Sequence, residues 1–507
     1  MTAQVLATAF GPLDWTVLGA YLLAVVALGS WFSRREKSTD DYFLAGRRIP
    51  WWAAGLSIFG TALSAITYMA VPASAYSGDW VMILASLSPM LVVPIVTGFY
   101  IPFFRRLNIT TAYEYLQKRF NTPVRLLASA VWILFQFGRM AIVLYLPSLA
   151  LAAVTDINLY ACILLMGVLC TVYTYLGGME AVIWTDVLQV VVLMGGAGLC
   201  LVLIALKVEG GVGAIISQGL EAGKFHTFNA TWSWSAAAVW VIALGGAVNN
   251  FSVYTTDQAL VQRYLSTRTE KQARQAIWTS ALAGVPTALL FFSLGTALFV
   301  FYQQHPQLVG DIVRENPDAV LPFFIMQQLP TGISGLLIAG IFAAAMSSID
   351  SSMNSVSAAV TTDFFRRFRP QASQRACLLL AKNLTLAIGV VGTAGAVVLA
   401  TWNIRSQYEF FLMALGLFTG GLAGVFALGI FTRRAHGAGA LCGAVVSVAV
   451  LATIRAHQDL FPVHGMLLGC VGLAVCVVVG YVASLLLPAP RKDLTGLTVY
   501  TLPKSSE

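Results

Sequence analysis

The sequence predicts an all-α polytopic membrane protein, and three observations support this fold class. Of its 507 residues, 58% are hydrophobic and only 10% are charged. Apolar runs of about 20 residues recur along the whole chain, and each is long enough to cross a bilayer as a helix. No soluble domain or low-complexity linker interrupts these runs. Helices are expected because a helix satisfies its backbone polar groups internally.

Thirteen transmembrane helices are predicted. The first lacks a basic leader and a small-residue cleavage site, so we interpret it as a helix of the mature protein and not as a secretory signal. The spans are placed at 13–32, 50–75, 81–104, 124–152, 159–177, 180–206, 236–260, 277–302, 332–361, 377–400, 408–430, 437–455 and 463–487.

The distribution of basic residues predicts the orientation of these spans. Most of the 30 Lys and Arg residues fall in alternate loops, and the positive-inside rule places such loops in the cytoplasm. We therefore expect a multi-pass protein of the cell inner membrane with its N-terminus outside and its C-terminus in the cytoplasm. The net charge of +8 follows from this topology and does not indicate nucleic-acid binding.

The sequence contains no pattern typical of an enzyme. The five histidines fall in loops or at span ends, and no HExxH, P-loop or GxSxG motif is present. The seven cysteines lie in apolar spans without the spacing of metal ligands. No catalytic metal or organic cofactor is expected.

Two spans have irregular interiors that indicate broken helices. The second contains Gly60 to Ser64 followed by Pro72, and the seventh contains Gly245–Gly246, Asn249–Asn250 and Thr255 to Asp257. Interrupted helices at corresponding positions in two halves are typical of inverted-repeat transporters, although such glycines can also serve only close helix packing. The predicted parts are 1–49 with a peripheral helix, 50–206 as the first five-helix repeat, 207–235 as an outer loop, 236–430 as the second repeat, 431–487 with two peripheral helices, and a tail at 488–507.

A hydroxyl-rich face is predicted in the ninth span. The stretch from Ala343 to Ser357 contains six serines, and Ala344, Ser347, Ser348 and Ser351 share one helix face. An isolated serine in such a helix usually bonds back to a carbonyl one turn earlier. A cluster of oxygens suits a small alkali cation, for which unwound carbonyls at Gly60 and Leu63 could complete the shell.

Asp186, Asp350 and Arg139 lie within predicted spans, where charge is costly and usually functional. Asp186 and Asp350 could each ligate a cation or carry a proton, and the alternative is pairing with a base. Arg139 could bind an anionic solute, since guanidinium pairs with carboxylate bidentately. Its alternative role is a structural pair with Asp186 or Glu409.

Several longer motifs resemble the sodium/solute symporter family, and within it the bacterial sodium-coupled sialic acid transporters. The resemblance covers nearly the whole chain. It implies the LeuT-like inverted-repeat fold, with five plus five helices, two of them broken, and three peripheral helices. The matching motifs are Thr39 to Phe43, Ala75–Tyr76 with Asp79–Trp80, Thr111 to Leu116, Gly177 to Gln189, Val261 to Tyr264 and Ile341 to Ser355.

The resemblance implies two sodium sites. The family's main site would use the carbonyls of Gly60, Leu63 and Ala344 with the hydroxyls of Ser347 and Ser348. A second site, found in the sialic acid group, would use Asp186, Ser347 and Ser351. Its remaining serine is replaced here by Asp350, which either strengthens that site or makes it sensitive to protons.

The resemblance also implies a substrate pocket, in which Arg139 binds the carboxylate of a sugar acid. The pocket residues are expected to be Ser64, Thr67, Met82, Ser86, Arg139 and Asn250. Three positions depart from the sialic acid group. Ala62 replaces a hydroxyl residue, Met82 an aromatic residue and Ser86 a glutamine.

We therefore expect a sodium-coupled symporter that imports sialic acid or a related carboxylated sugar by alternating access, as a monomer, with one or two sodium ions. The nearest alternative is a sodium symporter for a neutral sugar, another carboxylate or an amino acid. An alternative from another class is a transporter-derived sensor or a sodium leak.

Overall fold

The computed structural model describes residues 10–33, 36–155, 157–402, 420–488 and 492–501. Within these ranges the regular secondary structure is helical, apart from an isolated β-bridge between Ile49 and Thr267. The all-α prediction is therefore confirmed for the described part of the chain.

Nineteen helices of five or more residues are distinguished along this part. They are α1 (Pro12–Phe32), α2 (Thr39–Leu44), α3 (Trp51–Ala62), α4 (Ala65–Ser77), α5 (Ile83–Arg106), α6 (Ala112–Arg119), α7 (Thr122–Val154), α8 (Leu159–Lys207), α9 (Gly211–Glu221), α10 (Val239–Thr256), α11 (Gln258–Leu265), α12 (Glu270–Gln304), α13 (Asp311–Glu315), α14 (Val320–Gln328), α15 (Ile333–Phe368), α16 (Gln374–Trp402), α17 (Gly420–Phe431), α18 (Gly437–Ala456) and α19 (Leu468–Leu486).

Nine of the described helices are long and apolar enough to cross a membrane, and α3 with α4 would make a tenth span, bent by 65°. The predicted number of thirteen is not confirmed by this count. The predicted fifth and sixth spans form the 49-residue α8, which is interrupted at Gly178. The predicted seventh span is divided at Asp257 into α10 and α11. Of the predicted eleventh span, only the part from Gly420 lies in the described residues.

Helix α15 forms the centre of the protein. Every residue from 337 to 359 is buried, and α15 packs against α1, α3, α4, α7 and α8. In its most apolar stretch 89% of residues are buried, against 28% to 33% in α1, α16, α18 and α19. The four outer helices therefore face lipid. The hydroxyl-rich face of α15 faces protein instead, as expected for polar groups at membrane depth.

The break in α8 depends on a glycine. Gly178 has φ +53° and ψ −148°, a combination that only glycine adopts without strain. A Cβ atom there would lie 2.7 Å from the Tyr42 ring and 2.8 Å from the Tyr42 carbonyl oxygen. Tyr42 is itself fixed, because its hydroxyl contacts Thr385 at 3.1 Å. Gly178 therefore lets α2 pack closely against the point where α8 changes direction.

We predict that Gly178→Ala lowers the free energy of unfolding by about 2 kcal/mol or more, through backbone strain and the clash with Tyr42. The matched control is Gly195→Ala, because Gly195 is an exposed residue of α8 with no described atom within 4 Å of an added Cβ. Thermal unfolding of the detergent-purified protein measures both. Equal melting temperatures for the two variants would contradict this role of Gly178.

Candidate functional site

The site begins at the end of α3. This helix stops at Ala62, Leu63 is extended (φ −87°, ψ 90°), and α4 starts at Ala65. Ser64 caps α4 by accepting a hydrogen bond from the amide of Thr67 at 3.3 Å. The last carbonyl groups of α3 have no partner in their own helix. At membrane depth they must find partners elsewhere in the protein.

The serines of α15 lie against these carbonyl groups. The Ser347 hydroxyl donates to the Gly60 carbonyl oxygen at 3.0 Å and contacts the Ala344 carbonyl oxygen at 3.1 Å. The Ser348 hydroxyl lies 3.5 Å from the carbonyl oxygen of Thr61. Four of the five predicted residues of the first sodium site therefore meet here. The fifth, Leu63, lies at the break, and no hydrogen bond joins its carbonyl group to α15 in the described residues.

Asp186 forms a fully buried ion pair that the sequence did not predict. Its Oδ2 accepts from the Arg263 guanidinium at 2.9 Å and from the Ser57 hydroxyl at 2.5 Å. The same guanidinium donates to the hydroxyl of Ser351. Arg263 thus joins two of the residues predicted for the second sodium site. The other oxygen of Asp186, Oδ1, is buried and has no hydrogen-bond partner among the described residues.

Asp350, on α15, is held mainly by a tyrosine of α8. The Tyr173 hydroxyl donates to Asp350 Oδ2 at 2.6 Å, and the Ser351 hydroxyl lies 3.1 Å from Asp350 Oδ1. Ser351 therefore links Asp350 to the Asp186–Arg263 pair. Two buried carboxylates share one guanidinium, so these three side chains carry one excess negative charge when ionised.

Arg139 pairs with a carboxylate at the second helix interruption. Its Nη1 lies 3.5 Å from Asp257 Oδ2, and its Nη2 donates to the Thr61 carbonyl oxygen at 3.0 Å. The structural partner is therefore Asp257, and the alternative pairing with Asp186 is wrong. Glu409 lies outside the described residues.

Asp257 has several further partners that fix its position. It lies between α10 and α11, and its Oδ1 accepts from the amide of Ala259 at 2.9 Å. Trp132 and Gln136 of α7 each donate to the same oxygen at 3.2 Å. The Tyr113 hydroxyl donates to the last carbonyl of α10, that of Thr256, at 3.0 Å. The second interruption is therefore bonded by side chains of α6 and α7.

A cavity of about 160 Å³ adjoins the break in α3. It brings together three of the predicted substrate residues, Thr67, Ser86 and Asn250. Arg139, Ser64 and Met82 do not line it. Ser64 lies beside Thr67, with 3.2 Å between their hydroxyl oxygens, and Met82 packs on an apolar cluster around Ile83. Arg139 contacts the end of α3 at Thr61 and pairs with Asp257 between α10 and α11.

The irregular stretch predicted in the seventh span, from Gly245 to Asp257, breaks at its end and not at its glycines. Gly245 and Gly246 lie inside α10, where added Cβ atoms would come within 2.6 Å of the Met466 carbonyl and of the Ser88 hydroxyl. These glycines therefore serve close packing, which was the alternative interpretation. The break falls at Asp257, and its signal in the sequence was an aspartate that caps the following helix.

The chain is similar to known transporters in both sequence and structure. The sequence model of the Sodium:solute symporter family matches residues 42–447. The chain is 41% identical to the sodium/sialic acid symporter NanT of Aliivibrio fischeri over 479 residues, which cover 94% of each chain. It is 38% identical to a solved Na+-coupled sialic acid symporter in a substrate-bound outward-open state, with a TM-score of 0.89, covering 96% of this chain and 100% of the other.

A more distant structure shows the fold alone. Mhp1, a nucleobase-cation-symport-1 family transporter, is 17% identical and superposes with a TM-score of 0.58, covering 87% of this chain and 93% of the other. This chain and Mhp1 therefore share a fold although their sequence identity is low.

We predict that Arg263→Met lowers the free energy of unfolding by about 3–5 kcal/mol, because it leaves Asp186 buried without its counter-charge. Adding Asp186→Leu should recover most of this loss, since the double variant replaces the pair by apolar side chains. Thermal unfolding of the wild type, both single variants and the double variant measures the coupling. Additive losses would show that Arg263 and Asp186 do not act as a pair.

Proposed function

Since this chain belongs to the sodium:solute symporter family, we propose that it imports sialic acid or a related carboxylated sugar with sodium by alternating access. The chain is thus a transporter and not an enzyme. The main support for this function is a pair of contacts at the end of α3. Gly60 and Thr61 are consecutive residues at the end of α3, and the first binds a predicted sodium-site hydroxyl while the second binds Arg139. The predicted sodium and solute sites therefore meet on adjacent peptide groups.

The proposal includes the full membrane topology. Thirteen helices form two inverted repeats at 50–206 and 236–430, with peripheral helices in 1–49 and 431–487, an outer loop at 207–235 and a cytoplasmic tail at 488–507. The interruptions at Leu63–Ser64 and Asp257 support it, since each lies in the first helix of its repeat. The N-terminus is outside, the protein lies in the cell inner membrane, and it works as a monomer.

The first sodium ion is bound by the carbonyl oxygens of Gly60, Leu63 and Ala344 and the hydroxyl oxygens of Ser347 and Ser348. Oxygen ligands suit a hard cation. The Ser347 hydroxyl bonds to two of these carbonyls, those of Gly60 and Ala344. A bound sodium ion replaces these hydrogen bonds and keeps the end of α3 in place.

A second cation binds between Asp186, Ser347, Asp350 and Ser351. Two observations support it, namely the unpartnered Oδ1 of Asp186 and the excess negative charge of the buried cluster. An unbalanced buried charge is costly, and a cation removes the imbalance. We assign this cation as sodium, and the competing occupant is a proton on Asp350.

The second ion would determine how strongly solute is concentrated. A tenfold sodium gradient supplies about 1.4 kcal/mol per ion, and a potential of 100 mV about 2.3 kcal/mol per charge. One sodium ion with a monovalent anion moves no net charge and supports roughly tenfold accumulation. Two sodium ions supply about 5 kcal/mol, which supports accumulation on the order of several thousandfold.

The carboxylate of the solute binds Arg139 in place of Asp257. The pair between Arg139 and Asp257 is single and 3.5 Å long, so a bidentate carboxylate makes a stronger contact. Asp257 keeps its bonds to Trp132, Gln136 and Ala259 when Arg139 leaves. Ser64, Thr67, Met82, Ser86 and Asn250 then contact the rest of the solute, and the substitutions at Ala62, Met82 and Ser86 set which sugar acid is preferred.

Uptake into proteoliposomes under an imposed sodium gradient tests this function. Sialic acid should accumulate only with a sodium gradient, and neutral sugars and amino acids should not. Ser347→Ala should reduce the accumulation at least tenfold, because it removes a sodium ligand. The matched control Ser357→Ala, at a buried serine of the same helix, should leave it nearly unchanged.

Two outcomes of that experiment contradict the proposal. Accumulation of a neutral sugar or an amino acid in preference to sialic acid would reject the solute class. Sodium flux without accumulation of any solute would indicate a sodium leak.

We further predict that Asp257→Asn tightens sialic acid binding about fivefold, since a competing carboxylate worth roughly 1 kcal/mol at a partly exposed pair is removed. Arg139→Gln should instead abolish binding. The solute Kd from isothermal titration in sodium buffer measures both. Asp363→Asn is the control, because Asp363 forms a buried pair with Arg125 at 2.6 Å. If Asp257→Asn weakens binding, Asp257 supports the solute site and does not compete for Arg139.

A further inference from the structure

A basic pocket lies at the ends of four helices. Its volume is about 430 Å³, and it is framed by the end of α6, the starts of α7 and α18, the end of α19 and the segment at 492–494. The basic side chains that line it are Arg119, Arg433, Arg434, His436 and Lys492. No carboxylate is present among its described lining residues. The pocket therefore suits an anion.

The basic groups of the pocket are held in place by the protein, except at its mouth. Arg119 donates to the carbonyl groups of Gly429 and Thr432, each at 2.9 Å. Lys492 donates to the carbonyl of Phe120 at 2.8 Å. Burial and the neighbouring Arg119 lower the pKa of Lys492, as expected where cations crowd together without a counter-charge.

Two arginines remain available at the mouth. Arg433 and Arg434 are both exposed. Arg433 makes a long contact of 3.4 Å with the Tyr500 carbonyl and lies over the Tyr500 ring. Arg434 has no hydrogen bond or ion pair within the described residues. These two side chains can therefore turn toward a ligand at little cost.

One of the helices that frame this pocket also starts without a side-chain cap. Helix α18 begins at Gly437 without a side-chain cap, whereas Asn121 caps α7 by accepting from the amide of Val124 at 3.1 Å. The two starts are adjacent, since a Cβ on Gly437 would lie 2.2 Å from the Asn121 side-chain nitrogen. Helix N-termini favour phosphate groups.

An apolar groove continues from the basic pocket along the same helices. It has a volume of about 220 Å³ between α7, α17 and α18. Its lining is wholly aliphatic and includes the exposed side chains of Leu127, Val445 and Val448. On α18 the groove extends from Ala440 to Val448, which is about 12 Å along the axis. It therefore runs nearly the depth of one leaflet.

The groove and the pocket adjoin each other on two helices. On α7 the pocket ends at Asn121 and the groove starts at Val124, and on α18 the corresponding residues are Gly437 and Ala440. Three residues of a helix span about 4.5 Å. A ligand with an anionic head and an apolar chain would therefore fill both cavities at once.

We propose that this continuous site binds one anionic phospholipid, with its phosphate in the basic pocket and an acyl chain in the apolar groove. Basic pockets between transmembrane helices are suited to such headgroups. The positive charge of the pocket disfavours a lipid without net charge. Inorganic phosphate is also disfavoured, because it has no apolar chain to fill the groove. In the proposed orientation of the protein this lipid site lies in the cytoplasmic leaflet. The binding of the lipid itself does not depend on the proposed transport function.

Native mass spectrometry of the detergent-purified, full-length protein tests this site in the absence of sodium and solute. The probes are phosphatidylglycerol, phosphatidylcholine with the same chains, and inorganic phosphate. We expect one saturable phosphatidylglycerol molecule, bound at least tenfold more tightly than phosphatidylcholine, and no bound phosphate. Combined Arg433→Gln and Arg434→Gln should weaken this binding about 25-fold, because each arginine near an anionic headgroup contributes roughly fivefold.

Matched variants distinguish lipid binding at this site from general effects of surface charge and helix packing. Lys271→Gln with Arg274→Gln removes two exposed positive charges elsewhere and should leave the binding unchanged. Ala444→Phe fills the groove and should abolish it, whereas Ala449→Phe, at an exposed position of α18 outside the groove, should not. Thermal unfolding shows that each variant is folded. The proposal is overturned by equal binding of phosphatidylcholine, by binding of inorganic phosphate, or by unchanged phosphatidylglycerol binding after Arg433 and Arg434 are replaced.

Discussion

The constraint on which the rest of the structure depends is the interruption of α3 at membrane depth. A helix that stops inside a bilayer leaves carbonyl groups without partners, and no water is available to bond them. Here the Gly60 carbonyl accepts from Ser347, and the Thr61 carbonyl accepts from Arg139. The central helix α15 must therefore be buried on every side and must carry hydroxyl groups where it crosses α3. The proposed cation site is a consequence of the same oxygens, since groups that accept hydrogen bonds also ligate sodium.

The buried charges differ in how firmly they are held. The pair between Asp186 and Arg263 is short, fully buried and supported by Ser57. The pair between Arg139 and Asp257 is longer and partly accessible. Removing one partner of a tight buried pair is costly, whereas exchanging a weak partner for another carboxylate costs little. The protein can therefore change the partner of Arg139 during transport while Arg263 keeps α11 attached to α3 and α8.

The sequence was sufficient for the features that depend on local composition. Apolar length predicted the membrane helices, and the cluster of serines identified α15 as the helix with a functional face. The partners of charged residues could not be obtained in this way. Arg263 and Asp186 are 77 residues apart, and nothing local indicates that they meet. Similarly, the irregular stretch from Gly245 to Asp257 did not indicate where the helix would break, because only tertiary packing shows that Gly245 lies against Met466 and that the interruption falls at Asp257. The placement of Arg139 beside Asp257 depends on how α7, which carries Arg139, packs against α10 and α11, which Asp257 joins.

Thermodynamic coupling between sodium and solute tests the central claim most directly. Isothermal titration gives the solute Kd without and with saturating sodium, and a sodium titration gives the sodium Kd without and with saturating sialic acid. If both ligands stabilise the same arrangement of the α3 end, each must raise the affinity for the other by the same factor. We predict a factor of at least ten in both titrations, lost in Ser347→Ala. A solute Kd that does not change with sodium would contradict the account.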